Sequence, residues 1–281
     1  MKVCETGPAA DVEALASTLE RDEDCGVATV LRIAAMLDLE PDQHTAGAVL
    51  LRGWHFVLLA ADTRRSALRG DGFPGLGVPM PDLELPRLML GGRTVCFHRD
   101  IPIGARVTRR SAVQRIVHKT TASGPMAVVT LEHELRIAPK ADAALVETQT
   151  YLLLPARAAG TAQATEPDAP GNAVPSTHTK TVVPDDTMLF QYSALGFNSH
   201  RIHWDREHAR TVEGFPDLVV NGGLVTLLLT EFLRCELRVI PAAIAVRHVA
   251  PLYAGRPITM TADRDGERPG PATSPACWRL K

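Results

Sequence analysis

The side chains best suited to chemistry are concentrated between positions 192 and 208. Three of the ten histidines, His200, His203 and His208, lie within nine consecutive positions of this segment. An imidazole titrates near neutral pH, so it can both take up and release a proton under physiological conditions. The pattern predicts general acid/base chemistry, although a polar loop whose histidines only cap and form hydrogen bonds fits the composition equally well.

A metal ion or a covalent nucleophile would be other uses of this segment. His200, His203 and Asp205 are zinc-ligand types in an H-x-x-H-x-D pattern, but no fourth ligand is evident. No serine lies in a G-x-S-x-G setting, and no cysteine has a base beside it in the sequence. We therefore expect a site without a metal that works by proton transfer.

The second candidate feature is Asn221-Gly222-Gly223, at the start of an apolar helix predicted from Gly222 to about Arg238. The first amide N–H groups of a helix have no partner within it, and glycine leaves the backbone accessible. Such a terminus can stabilise an oxyanion that develops during a reaction. An N-cap role for Asn221 and a packing role for the glycines explain the pattern equally well.

The spacing of apolar residues predicts the elements that precede these features. Apolar positions three and four apart predict helices over Asp11–Asp22 and Gly26–Leu39, followed by a short strand at Trp54–Ala60. The stretch Arg69–Pro86 is rich in glycine and proline, which predicts a loop.

This loop contains a G-x-G-x-x-G pattern at Gly70, Gly72 and Gly75. A dinucleotide-binding motif needs a strand before it and a helix after it. No strand pattern precedes these glycines, and Pro74 lies within them. We therefore expect no dinucleotide site.

The central part of the chain reads as a block of strands. Apolar residues alternate with polar ones from Val129 to Ile137, as in a half-buried strand, and Ser123-Gly124-Pro125 predicts a hairpin turn. Long neighbouring strands joined by short turns predict an antiparallel sheet, and with the apolar helix an α+β fold. The Ala-, Pro- and Gly-rich stretch Pro155–Pro175 predicts a linker. It divides the chain into an N-terminal half (residues 1–155), a linker (156–175) and a C-terminal half (176–281) that holds the candidate site.

The composition limits the class of protein and its partners. Apolar residues are 45% and charged residues 22%, which excludes disordered and collagen-like chains. A net charge of −2 gives no reason to expect binding to nucleic acid or to a membrane. The five scattered cysteines predict free thiols in a reducing compartment, and the N-terminus has no apolar run of signal-peptide length. We therefore expect a cytoplasmic protein.

Three segments resemble one known family. They are PRLMLGGRTVCFHRDIPIGARVTRRSAV, LFQYSALGFNSHRIHWDREHARTVEGFPDLVVNGGLVTLLL and AVRHVAPLYAGRPITM, spread over about residues 86–260. They are similar to the MaoC-like dehydratase/hydratase superfamily. More narrowly, they look like its double hot-dog subfamily, which includes mesaconyl-C(4)-CoA hydratase, itaconyl-CoA hydratase and the type 2 hydroxyacyl-thioester dehydratases. The resemblance implies two curved antiparallel sheets, each around a central helix, with the first half shaping the acyl pocket.

The resemblance also implies roles for individual residues. His203 takes the place of the family's catalytic histidine, Asn198 falls where the catalytic aspartate is expected, and His200 falls at the family's asparagine. His200, and then Asp205, are the candidates to replace that carboxylate. The family's H-G-M at the helix start is N-G-G here, so that Gly222, with Gly223 and Asn221 beside it, would bind the thioester oxygen.

The activity implied is the reversible hydration of a 2-enoyl-CoA thioester, or dehydration of the 3-hydroxyacyl form. We expect a branched dicarboxylic acyl group such as that of mesaconyl-C(4)-CoA or itaconyl-CoA, because Arg201 could bind a free carboxylate. Tyr192 and Asp205 complete the expected substrate-binding set. The alternatives are a 3-hydroxyacyl-thioester dehydratase of fatty acid metabolism, an acyl-CoA thioesterase and a non-catalytic acyl-CoA-binding subunit. We expect no cofactor apart from the CoA of the substrate, and a homodimer.

Overall fold

A computed structural model describes residues 18–121, 124–138, 141–156, 178–264 and 278–280. The α-helices of these residues are α1 (Val27–Met36), α2 (Asp186–Leu195), α3 (Arg206–Thr211) and α4 (Gly222–Glu236). The strands are β1 (Leu19–Asp24), β2 (Arg87–Phe97), β3 (Arg106–Thr121), β4 (Gly124–Arg136), β5 (Leu145–Leu154), β6 (His178–Val182), β7 (Ala243–Arg247), β8 (Ile258–Arg264) and β9 (Trp278–Leu280). Short 3-10 helices lie at Pro41–Gln43, Trp54–Leu59, Arg65–Ala67 and Arg201–His203.

The predicted antiparallel block forms the main sheet, with strand order β1-β3-β4-β5-β2-β7. Along β4 buried and half-buried residues alternate, which confirms the predicted period of two. Strands β3 and β4 pair as far as Thr121 and Gly124, so the predicted hairpin is confirmed although residues 122–123 lie outside the described ranges. A smaller sheet has the order β6-β8-β9.

The main core joins the two predicted halves of the chain. Strand β7 of the second half pairs with β2 of the first. One apolar cluster contains Val30 and Trp54 together with Leu224 and Phe232 of α4. The indole Nε1 of Trp54 donates a hydrogen bond of 2.9 Å to Glu231 Oε1 of α4. The apolar helix α4 is therefore enclosed by both halves, as its sequence requires.

Two of the predicted elements are wrong. The range Asp11–Asp22 was expected to be helical, but residues 19–24 form β1, and residues 11–17 lie outside the described ranges. The expected strand Trp54–Ala60 is a 3-10 helix from Trp54 to Leu59. That segment is apolar and largely buried, and a short buried apolar run carries no periodicity that separates a strand from a helical turn.

The expectation of five free thiols is also wrong at one position. Cys96 is disulfide-bonded, whereas Cys25 and Cys235 are free. Cys4 and Cys277 lie outside the described residues, as does residue range 157–177, which holds most of the predicted linker. No helix in the described part of the chain is long and apolar enough to cross a membrane.

Candidate active site

A cavity of about 310 Å³ gathers most of the predicted site residues. It lies between β2, the segment from α2 to Arg201–His203, the start of α4 and the chain that follows β7. Its lining includes the following predicted residues: Tyr192, Asn198, His200, His203, Asn221, Gly222 and Gly223. The cavity therefore brings the imidazoles and the helix terminus together, although more than 15 residues separate them in the sequence.

His203 is held with one nitrogen engaged and the other available. Its Nδ1 lies 2.7 Å from the carbonyl oxygen of Val219, and it must carry a proton to donate to that oxygen. Nε2 has no hydrogen-bond partner among the described residues and is therefore the unprotonated nitrogen. Burial lowers the pKa of His203 to about 4, although the bond to Val219 opposes this shift. The ring is therefore neutral at pH 7 and can act as a base.

His200 lies edge-on to His203, with ring centroids 5.6 Å apart and an interplanar angle of 89°. Burial, followed by the proximity of His203, lowers the pKa of His200 to about 3, while Asp71 opposes the shift. The Asn198 Oδ1 accepts a 3.1 Å hydrogen bond from the His200 backbone N–H. Two neutral imidazoles and an amide thus line one wall of the cavity.

The N-terminus of α4 has free amides at the cavity. The first helical hydrogen bond runs from Val225 N–H to the Asn221 carbonyl oxygen, 3.1 Å away. The N–H groups of Gly222 and Gly223 therefore have no partner within the helix. The Asn221 Nδ2 donates to Ser193 Oγ at 3.2 Å, and its buried Oδ1 has no hydrogen-bond partner among the described residues. Asn221 occupies the N-cap position without making a side-chain cap bond.

The phenol of Tyr192 closes the cavity behind Gly223. A Cβ atom placed on Gly223 would lie 2.1 Å from Tyr192 Oη and 3.4 Å from a terminal nitrogen of Arg93. The Tyr192 ring stacks on Phe56 at 4.4 Å between centroids. Burial raises the pKa of Tyr192, so the hydroxyl keeps its proton and remains a donor. Glycine is therefore needed at 223 to bring this hydroxyl and the guanidinium to the helix terminus.

Arg93 is a largely buried cation in the lining of the cavity, with 9% of its side chain exposed. One of its terminal nitrogens lies 3.1 Å from Glu147 Oε1, and its Nε has no hydrogen-bond partner among the described residues. Burial alone would raise the pKa of Glu147, but Arg93 and the hydrogen bond from His55 lower it. Glu147 also accepts a hydrogen bond from Gln149. Its carboxylate is therefore contacted by three donors: Arg93, His55 and Gln149.

Two of the predicted site residues do not line the cavity. Arg201 forms an ion pair with Asp205 through contacts of 2.7 and 3.0 Å, and its side chain is 39% exposed. The second oxygen of Asp205 accepts a hydrogen bond from His208 N–H and caps α3. Arg201 and Asp205 thus pair with each other outside the cavity lining. The roles expected of them stay predictions: carboxylate binding for Arg201, and replacement of the catalytic aspartate or substrate binding for Asp205.

Several polar residues of the cavity were not predicted from the sequence, among them Asp71, Arg93 and His248. Each comes from a segment far from the histidine cluster, so spacing could not connect them. One signal was present on β5, where Glu147, Gln149 and Tyr151 alternate with other residues and therefore share a face. Polar residues at alternate positions of a central strand indicate a buried polar site, and Arg93 lies opposite Gln149 in the register.

No group of three or more potential metal ligands occurs among the residues that the structure describes. The zinc pattern His200, His203 and Asp205 is not assembled, because Asp205 is bound to Arg201 and caps α3. The side chains at the cavity are those of acid/base and anion-stabilising chemistry.

The chain is similar to known hydratases and dehydratases. Residues 53–254 match the family model for hydroxyacyl-thioester dehydratase type 2. The chain is 32% identical over 259 residues to mesaconyl-C(4)-CoA hydratase of Chloroflexus aurantiacus, covering 89% of this chain and 88% of that protein.

Solved structures agree in the fold. A MaoC-like dehydratase aligns over 94% of this chain and 95% of its own, with a TM-score of 0.65 and 15% identity. A Mycobacterium tuberculosis protein described as having a double hot-dog fold aligns over 94% of this chain and 93% of its own, with a TM-score of 0.55 and 14% identity. The fold is therefore the double hot-dog expected from the sequence.

Proposed function

The chain belongs to the hydroxyacyl-thioester dehydratase type 2 family and is a hydro-lyase, and from this premise we propose that it hydrates a 2-enoyl-CoA thioester reversibly. The observation that carries the proposal is the common cavity of His203 and the N-terminus of α4. One side of it offers a neutral imidazole with a free Nε2, and the other offers unpaired amides. Addition of water to a conjugated thioester needs both a base and an oxyanion site.

In the proposed reaction, Nε2 of His203 takes a proton from water as the water oxygen bonds to the β-carbon. The electrons of the C=C bond move to the thioester oxygen, which becomes an enolate. The N–H groups of Gly222 and Gly223 bind this oxygen, assisted by the positive end of the helix dipole. His203 then returns its proton to the α-carbon and the thioester carbonyl re-forms. Asn198 and His200 hold the water, and dehydration is the same path reversed.

The proposed chemistry uses only groups of the chain and the substrate. A thioester acidifies its own α-carbon, so proton transfer and oxyanion binding are sufficient. We therefore propose that no cofactor is required beyond the CoA carried by the substrate. The homodimer and the cytoplasmic location remain predictions from the sequence.

For the acyl group, we propose a carboxylate-bearing chain, with Arg93 in place of Arg201 as its partner. Arg93 lines the cavity; one of its terminal nitrogens pairs with Glu147, and the other lies near Gly223 at the start of α4. His248 also lines the cavity, and its Nε2 has no partner within the described part of the chain. A purely alkyl acyl chain would displace water from the Arg93 guanidinium without replacing its hydrogen bonds, which is costly in a buried site. The name of the Chloroflexus relative, a mesaconyl-C(4)-CoA hydratase, supports the same substrate class.

A substrate panel tests the proposal. Mesaconyl-C(4)-, itaconyl- and crotonyl-CoA are incubated with the protein while the enoyl absorbance and free thiol are followed separately. We expect loss of the enoyl absorbance with CoA retained, and the highest kcat/KM for a carboxylate-bearing substrate. Release of free thiol would favour a thioesterase, a preference for long alkyl chains would favour a fatty acid dehydratase, and binding without turnover would favour a non-catalytic subunit.

A further inference from the structure

The resemblance to the family implies a catalytic carboxylate at position 198, but this chain has Asn198 there. We propose that Asp71, from the glycine-rich loop of the first half, supplies this carboxylate and holds His200 with its proton on Nε2. Its catalytic consequence rests on the proposed function, but the placement of the proton does not.

The carboxylate of Asp71 faces the imidazole of His200. Its Oδ2 lies 3.6 Å from His200 Nε2, and both residues line the cavity. The two side chains are largely buried, with 16% of Asp71 and 8% of His200 exposed. At this separation, in surroundings that exclude most water, the carboxylate favours the tautomer whose N–H points toward it. The Nδ1 of His200 is then left as the nitrogen that accepts a hydrogen bond.

The carboxylate is held in place by its own loop. The Asp71 Oδ1 accepts a hydrogen bond of 3.0 Å from Phe73 N–H, and Oδ2 accepts one of 3.0 Å from Arg69. Phe73 packs edge-on against the His200 ring with centroids 5.4 Å apart. Arg69 and the Phe73 N–H therefore fix the position of the carboxylate, and the Phe73 ring packs against the imidazole that faces it.

The loop is also bonded directly to the catalytic segment. Arg201 N–H donates to the Asp71 carbonyl oxygen at 2.9 Å, and Ser199 Oγ donates to the Gly72 carbonyl oxygen at 2.6 Å. Gly72 has a φ of +75°, and a Cβ atom there would lie 2.3 Å from the Ser199 carbonyl oxygen. Only glycine permits this approach, so the loop packs directly against the backbone of the catalytic segment. The G-D-G pattern at residues 70–72 therefore serves to pack the loop against the catalytic segment rather than to bind phosphate.

In this tautomer, His200 accepts a hydrogen bond within the active site through its Nδ1. With Nε2 protonated and facing Asp71, its Nδ1 can accept a hydrogen bond but cannot donate one. His203 is bonded through Nδ1 to Val219 and offers Nε2 as its acceptor. Two acceptors of fixed tautomer restrict the orientation of a water molecule between them, which favours attack by its oxygen.

The test combines NMR with kinetics. In ¹⁵N-labelled wild-type protein at pH 7, we expect His200 as the Nε2–H tautomer. In Asp71→Asn the tautomer preference should weaken and kcat should fall at least about tenfold, as for loss of a group that positions a proton acceptor. KM should change less than about threefold. Asp82→Asn is the matched control, because Asp82 is an exposed carboxylate of the same loop region outside the cavity that bonds only locally to Glu84 N–H.

Two results would overturn the inference. One is an Nδ1–H tautomer of His200 in the wild type, which is measurable even if Asp71→Asn does not fold. The other is a folded Asp71→Asn whose kcat lies within twofold of that of the wild type. Asp71→Glu keeps the carboxylate and should retain more activity than Asp71→Asn. If the wild type hydrates no enoyl thioester but His200 keeps an Asp71-dependent tautomer, the proposed function fails while the Asp71–His200 pair stands.

Discussion

At the scale of single residues, His203 is the side chain on which the proposed chemistry depends most directly. His203→Gln keeps a polar group of similar size but removes the base, so we expect kcat to fall by about 10²- to 10⁴-fold with little change in KM. Steady-state hydration kinetics measure this effect. His98→Gln, at an exposed position after β2, is the matched control and should keep wild-type rates. Retention of more than a tenth of kcat in His203→Gln would assign the base elsewhere.

Arg93 provides a second prediction at this scale. Arg93→Lys keeps the charge that Glu147 needs but removes the planar fork and the Nε donor. We expect KM for a carboxylate-bearing substrate to rise roughly tenfold, the effect of losing a charge-assisted hydrogen bond of about 1.5 kcal/mol. KM for crotonyl-CoA should change much less. A larger effect from Arg201→Lys would restore the expectation drawn from the sequence.

Some of the residues at the cavity were predictable from the sequence, and others were not. His203, His200 and Gly222 were predicted because their types and order resemble a known motif, and the structure places them at one cavity. Arg201 was expected at the substrate because it precedes His203 closely in the chain. Its side chain instead pairs with Asp205 four residues later, an arrangement that depends on the local backbone. Asp71 and Arg93 were not predicted, because their proximity to the histidines arises only from the tertiary fold.

At the scale of elements, the start of α4 must remain free of side chains. In Gly223→Ala the added methyl group would lie 2.1 Å from Tyr192 Oη, so the phenol or the helix must move. We expect kcat to fall by about tenfold or more, because displaced amides no longer match the developing oxyanion. Gly26→Ala, at the start of α1, is the matched control, since its Cβ would meet only Thr29 Oγ1 at 3.9 Å. Unchanged kinetics in Gly223→Ala would remove this terminus from the mechanism.

The long elements were predictable and the short ones were not. Strand β4 carries a clear alternation of apolar and polar residues and helix α4 a long apolar stretch, and the structure has a strand and a helix at these places. Strand β1 was mistaken for part of a helix because its charged sequence, LERDED, fits either element. Its strand conformation follows from pairing with β3, where Arg106 forms an ion pair with Asp22 and Arg109 with Glu23. Such tertiary contacts override a weak local preference.

At the scale of the whole molecule, the cavity requires both halves of the chain. The first half contributes Arg93 and the Asp71 loop, and the second contributes the imidazoles and α4. The pairing of β2 with β7 connects residues about 150 positions apart, which no local pattern could predict. The division into residues 1–155 and 176–281 stays a proposal, and in this arrangement neither part would hold a complete site alone.

The buried histidines predict how the stability of the whole protein depends on pH. Burial lowers the pKa of His133 and His203 to about 4, and His200 and His248 are lowered similarly. Between pH 6.5 and about 4.5 the unfolded chain therefore takes up protons that the folded protein does not. Folding is stabilised by these groups above pH 6.5, and that contribution is lost as the pH falls through this range. The free energy of unfolding should decrease by up to about 1.4 kcal/mol per pH unit for each such histidine.

Urea unfolding between pH 7.5 and 4.5 measures this dependence, and one histidine allows the assignment to be tested. His133 lies in β4, outside the cavity lining, with its Nδ1 2.8 Å from Ser111 Oγ. His133→Gln keeps a partner for this hydroxyl but does not titrate, so stability should fall less steeply with decreasing pH while hydration activity is retained. An unfolding free energy that is constant from pH 6.5 to 4.5 in the wild type would mean that these imidazoles are protonated in the folded protein. In that case a neutral His203 could not serve as the base below pH 6.5, and both the predicted pH dependence of stability and the proposed role of His203 at those pH values would be wrong.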